Sequence, residues 1–188
     1  MRKVKLKDIA EVYSGLSYRR YLDDDGIMCN VIVQRSIQAD GILSDFEELK
    51  LKKDIKDRFY TKQGDILMKM PYPFDVVRVT TPDLVVSDRI AIIRIKGEYD
   101  DPSFIAHLLT NAHVKKQLHE IGSTERISHV SIREIKELEL NLPDVETQSE
   151  YGALLDTIDE KIAQDKKVVE YDRRLKEGIL NKIWGDSQ

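Results

Sequence analysis

A long, uninterrupted helical pattern near the end of the chain constrains the fold most strongly. Residues 147–184 contain no proline, and their glycines are Gly152 and Gly178. Thr147 and Glu150 form a T-x-x-E capping box, which predicts that the helix begins near Thr147. At ~1.5 Å per residue this segment spans roughly 55 Å, about twice the width of a small domain. A helix of that length cannot bury a full apolar stripe on its own domain, so the pattern favours pairing with another helix.

The heptad pattern of this helix predicts which surface pairs. Seven seam positions are apolar or aromatic: Tyr151, Leu155, Ile158, Ile162, Val169, Ile179 and Ile183. Asp165, Asp172 and Lys176 occupy the other three. The pattern indicates a dimerisation helix, with a helix folded back onto the core as the alternative. In an antiparallel pair, the two aspartates are expected to face Arg173 or Lys176 of the second copy and to favour one register.

The residues before this helix predict a mixed, strand-rich domain. Runs rich in β-branched residues predict strands at 27–33, 65–70, 76–80 and 90–96, with a further ELNL strand before Pro143. Asp25-Gly26 is among the turn signals between them. Asp101-Pro102 predicts a helix that continues to Gly122, and Ser131 with Glu134 predicts a second capped helix. The expected fold class is α+β, a domain at 1–145 with short helices, followed by one long C-terminal coiled-coil helix at 146–185.

Composition limits the function classes that fit. The chain has 188 residues, a net charge of −4 and a single cysteine, Cys29, so neither an internal disulfide nor a cysteine-cluster zinc site is expected. We find no apolar run long enough for a membrane span and no secretory segment, and the expected location is cytoplasmic. An acidic chain binds nucleic acid only through local asymmetry, and residues 1–20 carry six cations against two acids.

Motifs for catalysis are missing from the sequence. No phosphate-binding glycine loop, dinucleotide fingerprint or nucleophile elbow is present. His107, His113 and His119 are predicted to share one helix, but spacings of six place them on different faces. Glu134-Ile135-Lys136 matches the E-x-K tail of a metal-dependent nuclease motif, although it falls in the predicted capped helix. The prediction is a non-catalytic protein without metal or cofactor, and a nuclease using Glu134 and Lys136 is an alternative.

Polar segments of the chain suggest a binding role, with ordinary solvated loops as the alternative. Guanidinium and hydroxyl groups contact the phosphates of double-stranded DNA, and a guanidinium fork also contacts base edges. Four segments supply such side chains: SGLSYRRY, VQRSIQ, the turn after GDILMKM, and GSTERIS. The candidate DNA-binding residues are Ser17, Tyr18, Arg19, Arg20, Gln34, Arg35, Ser36, Lys69, Tyr72, Arg78, Ser123, Thr124 and Arg126.

Three stretches of the chain resemble the specificity subunits of type I restriction–modification systems. They are KLKDIAEVYSGLS, GDILMK and GST…ISHVSIREIKELELNLPDVETQSEYGALLDTIDEKI. The resemblance implies a target-recognition domain that reads half of a split DNA site, followed by a spacer helix. Family members usually hold two such domains and two antiparallel helices, whereas this chain holds one of each. The expectation is a half-size subunit that pairs with a second copy, and a piece of a longer chain is the alternative.

The resemblance also implies partners. A DNA adenine methyltransferase subunit modifies the target, and a motor/endonuclease subunit cuts unmodified DNA. Apolar residues off the seam, such as Leu154, Leu180 and Trp184, are candidates for contact with the methyltransferase. The competing hypothesis is a coiled-coil adaptor that binds only protein, which accounts for the long helix and the acidity but leaves the arginine-bearing segments unexplained.

Overall fold

The computed structural model describes residues 1–39, 41–97, 99–121 and 129–185. Within these ranges the strands are β1 (Arg2–Lys5), β2 (Ala10–Ser14), β3 (Leu22–Ile32), β4 (Glu47–Leu51), β5 (Ile66–Lys69), β6 (Val76–Arg78), β7 (Val85–Val86), β8 (Ile90–Ile95) and β9 (Glu139–Leu142). The α-helices are α1 (Leu6–Ile9), α2 (Pro102–Thr110), α3 (Ala112–Ile121), α4 (Ile132–Lys136) and α5 (Val145–Gly185). The predicted α+β class with one long C-terminal helix is confirmed.

A four-stranded antiparallel sheet in the order β2-β8-β5-β6 organises the core. Its two central strands are buried on both faces, which explains their nearly continuous apolar sequences. In β5, Ile66 and Met68 pack into one core cluster with the helices, whereas Leu67 between them packs into the opposite cluster. The period of two along this strand therefore divides its side chains between two layers.

A three-stranded sheet, β4-β3-β7, lies beside it, and β1 pairs with β9 in a two-stranded sheet. The predicted turn at Asp25-Gly26 is wrong, because β3 continues through it as a bulged strand with a register shift between Leu22 and Ile27. A Cβ atom on Gly26 would lie 2.3 Å from the Leu51 carbonyl oxygen. Glycine is needed there because β4 approaches the bulge closely, and not because the chain reverses.

The predicted single helix from Asp101 to Gly122 is also wrong. The chain forms α2 and α3, separated at Asn111, where the backbone is extended (φ −62°, ψ 142°). The Asn111 side-chain oxygen accepts a hydrogen bond from the His113 amide at 2.8 Å. Asparagine side chains compete for backbone donors in this way and favour helix ends over helix interiors. His107 consequently lies on a different helix from His113 and His119.

The long helix starts earlier than predicted. Helix α5 begins at Val145, and the Asp144 carboxylate accepts hydrogen bonds from both the amide (3.0 Å) and the hydroxyl (3.1 Å) of Thr147. Asp144 is thus the N-cap, and Thr147 with Glu150 does not form the predicted capping box. A capping aspartate satisfies free amides and also favours the positive end of the helix dipole.

The first turns of α5 are fixed to the N-terminus of α2 by a buried polar group. The Gln148 side chain is fully buried, accepts a hydrogen bond from the Asp101 amide at 3.1 Å and donates to the Asp100 carboxylate at 3.0 Å. It also donates to the Pro143 carbonyl at 3.0 Å. Gly152, one turn later, leaves room for the Asp101 side chain, which would lie 2.9 Å from an added Cβ.

The chain divides into two compact units, residues 1–152 and 153–188. The described part of the second unit consists of the remainder of α5, which is 41 residues long in total and thus about 60 Å from end to end. None of the helices in the described ranges combines the length and apolar character needed to cross a membrane.

Candidate nucleic-acid interface

Three of the predicted DNA-binding segments leave the sheets at the same edge. Strand β2 ends at Ser14, paired with Ala91, and β5 ends at Lys69, paired with Ile90, so both end beside the start of β8. Strand β3 ends at Ile32, whose carbonyl accepts a hydrogen bond from the Ser87 amide just before β8. The segments that follow β2, β3 and β5 are therefore neighbours, although they are distant in sequence.

The segment after β2 folds into a 3-10 helix at Tyr18–Tyr21. Its entry is fixed by the Leu16 amide, which donates to the Val86 carbonyl at 2.7 Å, and by the Ser17 hydroxyl, which donates to the Asp88 carboxylate at 2.5 Å. Arg19 and Arg20 are exposed, and among the described residues neither has an acidic partner. This segment thus presents two unpaired guanidinium groups on a short, anchored element.

The segment after β3 is a second 3-10 helix, Gln34–Ser36. Arg35 is exposed and forms an ion pair with Glu47 on β4, with Nη1 and Oε1 separated by 2.9 Å. The Tyr18 hydroxyl donates to the other oxygen of the same carboxylate at 3.3 Å. Ser36 is buried, and its hydroxyl accepts from the Val33 amide and donates to the Asp45 carbonyl, so it stabilises the turn from within.

The two 3-10 helices and the turn before β8 enclose a cleft of about 420 Å³, here called the arginine cleft. Its lining residues are Tyr18, Arg19, Val33, Gln34, Arg35, Glu47, Ser87, Asp88 and Arg89. The structure thus brings together four of the predicted residues from two segments, and adds Arg89, which the sequence prediction missed. The polar triplet Ser87-Asp88-Arg89 between two apolar runs is the signal that identifies this turn in the sequence.

The cleft carries three arginines and two acids, so it is basic on a chain that is acidic overall. Arginine forks and polar side chains on a concave surface can contact both phosphates and base edges. The chemistry of the lining therefore suits a polyanion with hydrogen-bonding edges better than an apolar ligand.

The turn after β5 extends this edge. Phe74 is fully buried and has a positive φ of 59°, while Tyr72 is 64% exposed. The Tyr72 ring contacts the Phe74 ring edge-on, with centroids 5.8 Å apart, and the His119 ring at 6.4 Å. Lys69 is less available, because its ammonium forms a largely buried ion pair with Asp75 at 3.0 Å.

Among the predicted residues that the structure describes, Arg78 lies away from this edge. Arg78 pairs with Ile66, at the opposite end of β5 from Lys69. Ser123, Thr124 and Arg126 lie outside the described residues.

Sequence comparison now identifies the family. Residues 1–170 match the family profile of the type I restriction modification DNA specificity domain. The chain belongs to this family. No curated protein matches the chain in sequence.

Solved structures share the specificity-domain fold. The HsdS subunit from Thermoanaerobacter tengcongensis aligns with a TM-score of 0.70 at 16% identity, covering 89% of this chain and 44% of that one. A chain from a study of complex assembly and conformational transition of the type I R-M system aligns with a TM-score of 0.70 at 17% identity, with the same coverages. The type I S subunit from M. genitalium gives 0.61 at 14% identity, covering 92% and 42%. The chain thus spans less than half the length of these relatives.

The cations near the start of this specificity domain mostly serve its own structure. Arg2 pairs with Asp100, Lys3 with Glu139 at 2.6 Å, and Lys5 and Lys7 share Glu137 at 2.7 and 2.6 Å. The pairing with Lys5 and Lys7 lowers the pKa of Glu137 to about 2. Of the six cations in residues 1–20, only Arg19 and Arg20 have no acidic partner in the described part of the chain.

The predicted capping box that contains the E-x-K tail is confirmed. The Glu134 carboxylate accepts a hydrogen bond from the Ser131 amide at 2.6 Å, at the start of α4. Within the described ranges, no cluster of three or more histidine, cysteine or acidic side chains is arranged to hold a metal ion.

Proposed function

We propose that this chain is the DNA specificity subunit of a type I restriction–modification complex and reads one half of a split target. The match of residues 1–170 to the specificity-domain family carries this proposal. The arginine cleft supports it, because three guanidinium groups converge there from separate segments. Arg35 is paired with Glu47, whereas Arg19 and Arg89 have no acidic partner among the described residues. Residues 1–145 would recognise DNA, and 146–185 would form the spacer.

In this proposal the chain itself performs no chemistry. A DNA adenine methyltransferase subunit modifies the target that the chain selects, and a motor/endonuclease subunit cuts unmodified DNA. Because the chain carries a net charge of −4, we expect weak, salt-dependent DNA binding by the chain alone and much tighter binding with the methyltransferase.

We further propose that two copies pair through α5. Six of the seven apolar or aromatic seam residues are large and 44–60% exposed. A continuous stripe of exposed apolar residues is unusual on a protein surface and marks a binding face. A second copy is the proposed occupant because an antiparallel two-fold pair buries the same apolar stripe on both helices. An antiparallel register that sets Ile162 opposite Ile179 also sets Ile158 opposite Ile183, and it brings Asp165 opposite Lys176 of the second copy.

The arginine cleft is tested by measuring DNA binding of the chain together with its methyltransferase subunit. Arg19→Ala/Arg20→Ala should weaken binding at least tenfold, because two phosphate contacts are lost, and should lower the salt slope by about 2. The control is Arg174→Ala, which removes an exposed arginine paired with Glu170 on α5. Unchanged binding by the double variant would favour the protein-binding adaptor, which the exposed stripe of α5 also suits.

Pairing and recognition are tested together by mapping methylated adenines in DNA from cells that hold the chain and its methyltransferase. Two identical recognition domains should produce a symmetric, interrupted motif, because a two-fold pair reads the same half-site twice. An asymmetric motif would contradict self-pairing but would leave DNA recognition intact. Absence of any motif would contradict the recognition role itself.

Self-pairing is measured directly by sedimentation. The wild-type mass should be near twice 21.8 kDa, and Ile158→Lys/Ile162→Lys should return it toward the monomer. Glu160→Lys is the matched control, because it adds a cation on the same helix but away from the seam. A monomeric wild-type chain at micromolar concentration would refute pairing through α5.

A further inference from the structure

We infer that Arg35 and Glu47 together read one G·C base pair of the half-site, whereas Arg19, Arg20 and Arg89 contact the phosphate backbone. This inference rests on the proposed role in DNA recognition and goes further by assigning individual side chains. The orientation of Arg35 is fixed before DNA binds, whereas that of the other arginines is not.

Arg35 differs from the other arginines in its contacts. Its guanidinium is held by the Glu47 carboxylate at 2.9 Å, and that carboxylate is also fixed by the Tyr18 hydroxyl at 3.3 Å. Among the described residues, neither Arg19 nor Arg89 has such a partner. A side chain fixed in advance loses less conformational entropy when it forms a directional contact.

Both members of the pair remain accessible. The Arg35 side chain is 65% exposed and the Glu47 side chain 25% exposed, and both line the arginine cleft. The contact uses one terminal nitrogen of Arg35 and one oxygen of Glu47, which leaves further donors and acceptors for a ligand. The pair therefore offers a donor fork and an acceptor side by side.

A G·C pair is complementary to this arrangement. In the major groove guanine presents two acceptors, O6 and N7, which an arginine fork contacts, and cytosine presents the N4 amino donor, which a carboxylate accepts. An A·T pair presents a donor at adenine N6 where the guanine acceptor O6 would lie, and an acceptor at thymine O4 where the cytosine donor would lie. Replacing G·C by A·T would thus oppose like hydrogen-bonding groups at both side chains.

The unpaired arginines suit a different task. Phosphate contacts tolerate variation in approach, because the charge attraction is long-ranged and every nucleotide offers the same group. Arg19 lies on the first 3-10 helix and Arg89 on the turn before β8, and both line the cleft together with Arg35. Both are thus available for backbone contacts next to the base pair that Arg35 reads.

The test measures the affinity of the complex with its methyltransferase for a panel of duplexes, each carrying one substituted base pair. At one G·C position, the wild-type complex should discriminate by about 5- to 100-fold. Arg35→Ala and Arg35→Lys should both abolish discrimination at that position alone, because lysine keeps the charge but lacks the fork. Glu47→Ala should reduce discrimination at the same position.

Arg89→Ala is the comparison variant. It should weaken binding to every duplex by a similar factor, lower the slope of log affinity against log salt by about 1, and leave the sequence preference unchanged. Thermal unfolding of each variant establishes that it remains folded.

The assignment would be overturned if Arg35→Ala weakened binding to every duplex equally, or if it abolished discrimination at an A·T position. In either case, discrimination by the wild-type complex would still support DNA recognition. A folded wild-type complex that discriminates at no position would instead refute the proposed function.

Discussion

Gly15 sets the distance between the first 3-10 helix and the turn that carries Arg89. A Cβ atom at Gly15 would lie 2.3 Å from the carbonyl oxygens of both Val86 and Ser87, so the backbone itself would have to move. We expect Gly15→Ala to destabilise the domain by at least about 2 kcal/mol, because overpacking against backbone cannot be relieved by a side-chain rotation. Urea-induced unfolding measures this change.

The control is the same substitution at Gly178, where nothing lies within 4 Å of an added Cβ. Alanine favours a helix over glycine by about 0.5–1 kcal/mol, so Gly178→Ala should leave the unfolding of the domain unchanged and raise the helical content. Equal effects of the two substitutions would show that the close approach at Gly15 does not limit stability.

Glu137 connects α4 to the start of the chain through Lys5 and Lys7. Its pKa is lowered from 4.5 to about 2 in the folded protein, so the two ion pairs contribute stability above pH 4.5 and lose it as the pH falls toward 2. We expect Glu137→Gln to lower the melting temperature at pH 6, with the difference from wild type shrinking steadily between pH 4.5 and 2.

The control for this pH dependence is Glu48→Gln, which removes an exposed carboxylate on β4. Its melting temperature should follow that of the wild type at every pH. A Glu137→Gln variant that parallels wild type through the acidic range would show that the ion pairs with Lys5 and Lys7 do not stabilise the fold.

At the residue scale, the sequence could predict the types of side chain at the cleft but not which of them form ion pairs or hydrogen bonds within the protein. Arg19 and Arg35 are both predicted as DNA-binding, yet Glu47 pairs with only one of them. That partner lies 12 positions away on a strand that the sequence pattern missed, so its proximity depends on the β3–β4 pairing. Ser36 is predicted to bind DNA through its hydroxyl, but that hydroxyl forms hydrogen bonds with the Val33 amide and the Asp45 carbonyl.

At the element scale, Gln148 fixes the start of α5 to the α2 N-terminus. Gln148→Ala would leave the Asp101 amide without its partner and the buried Asp100 carboxylate with Arg2 alone, which we expect to cost about 1–3 kcal/mol. Chemical unfolding measures the loss. Gln164→Ala is the matched control, since Gln164 is exposed on the same helix, and its substitution should be neutral or slightly stabilising.

Long, strongly patterned elements were predictable, and short or edge elements were not. The pattern identifies the central strands β5 and β8 because both faces are buried and their sequences are almost wholly apolar. Strand β1, with the sequence RKVK, carries no such pattern, and its pairing with β9 depends on tertiary structure. The capping prediction at Thr147 was wrong because Asp144, three residues earlier, offers two acceptor oxygens to the same residue.

At the scale of the whole molecule, the sequence predicts a domain and a long helix because each has its own pattern. The helical pattern requires only local information, so the length of α5 follows closely from the residues alone. The arginine cleft requires the ends of β2 and β3 to meet the start of β8, and this follows from the pairing of β2 with β8 and the parallel pairing of β3 with β7. Neither pairing is encoded in any single segment.

The register of the proposed helix pair is the last feature that can be tested. Asp165 and Asp172 interrupt the apolar seam, and a charged group in a seam is tolerated best in the register where it meets an opposite charge, here Arg173 or Lys176 of the second copy. Asp165→Asn/Asp172→Asn should therefore keep the dimer but permit neighbouring registers, so that methylation spreads to motifs with altered gaps. The control Glu160→Gln/Glu177→Gln removes the same charge outside the seam and should preserve a single gap. A single, unchanged gap in the aspartate variant would show that the apolar layers alone set the alignment.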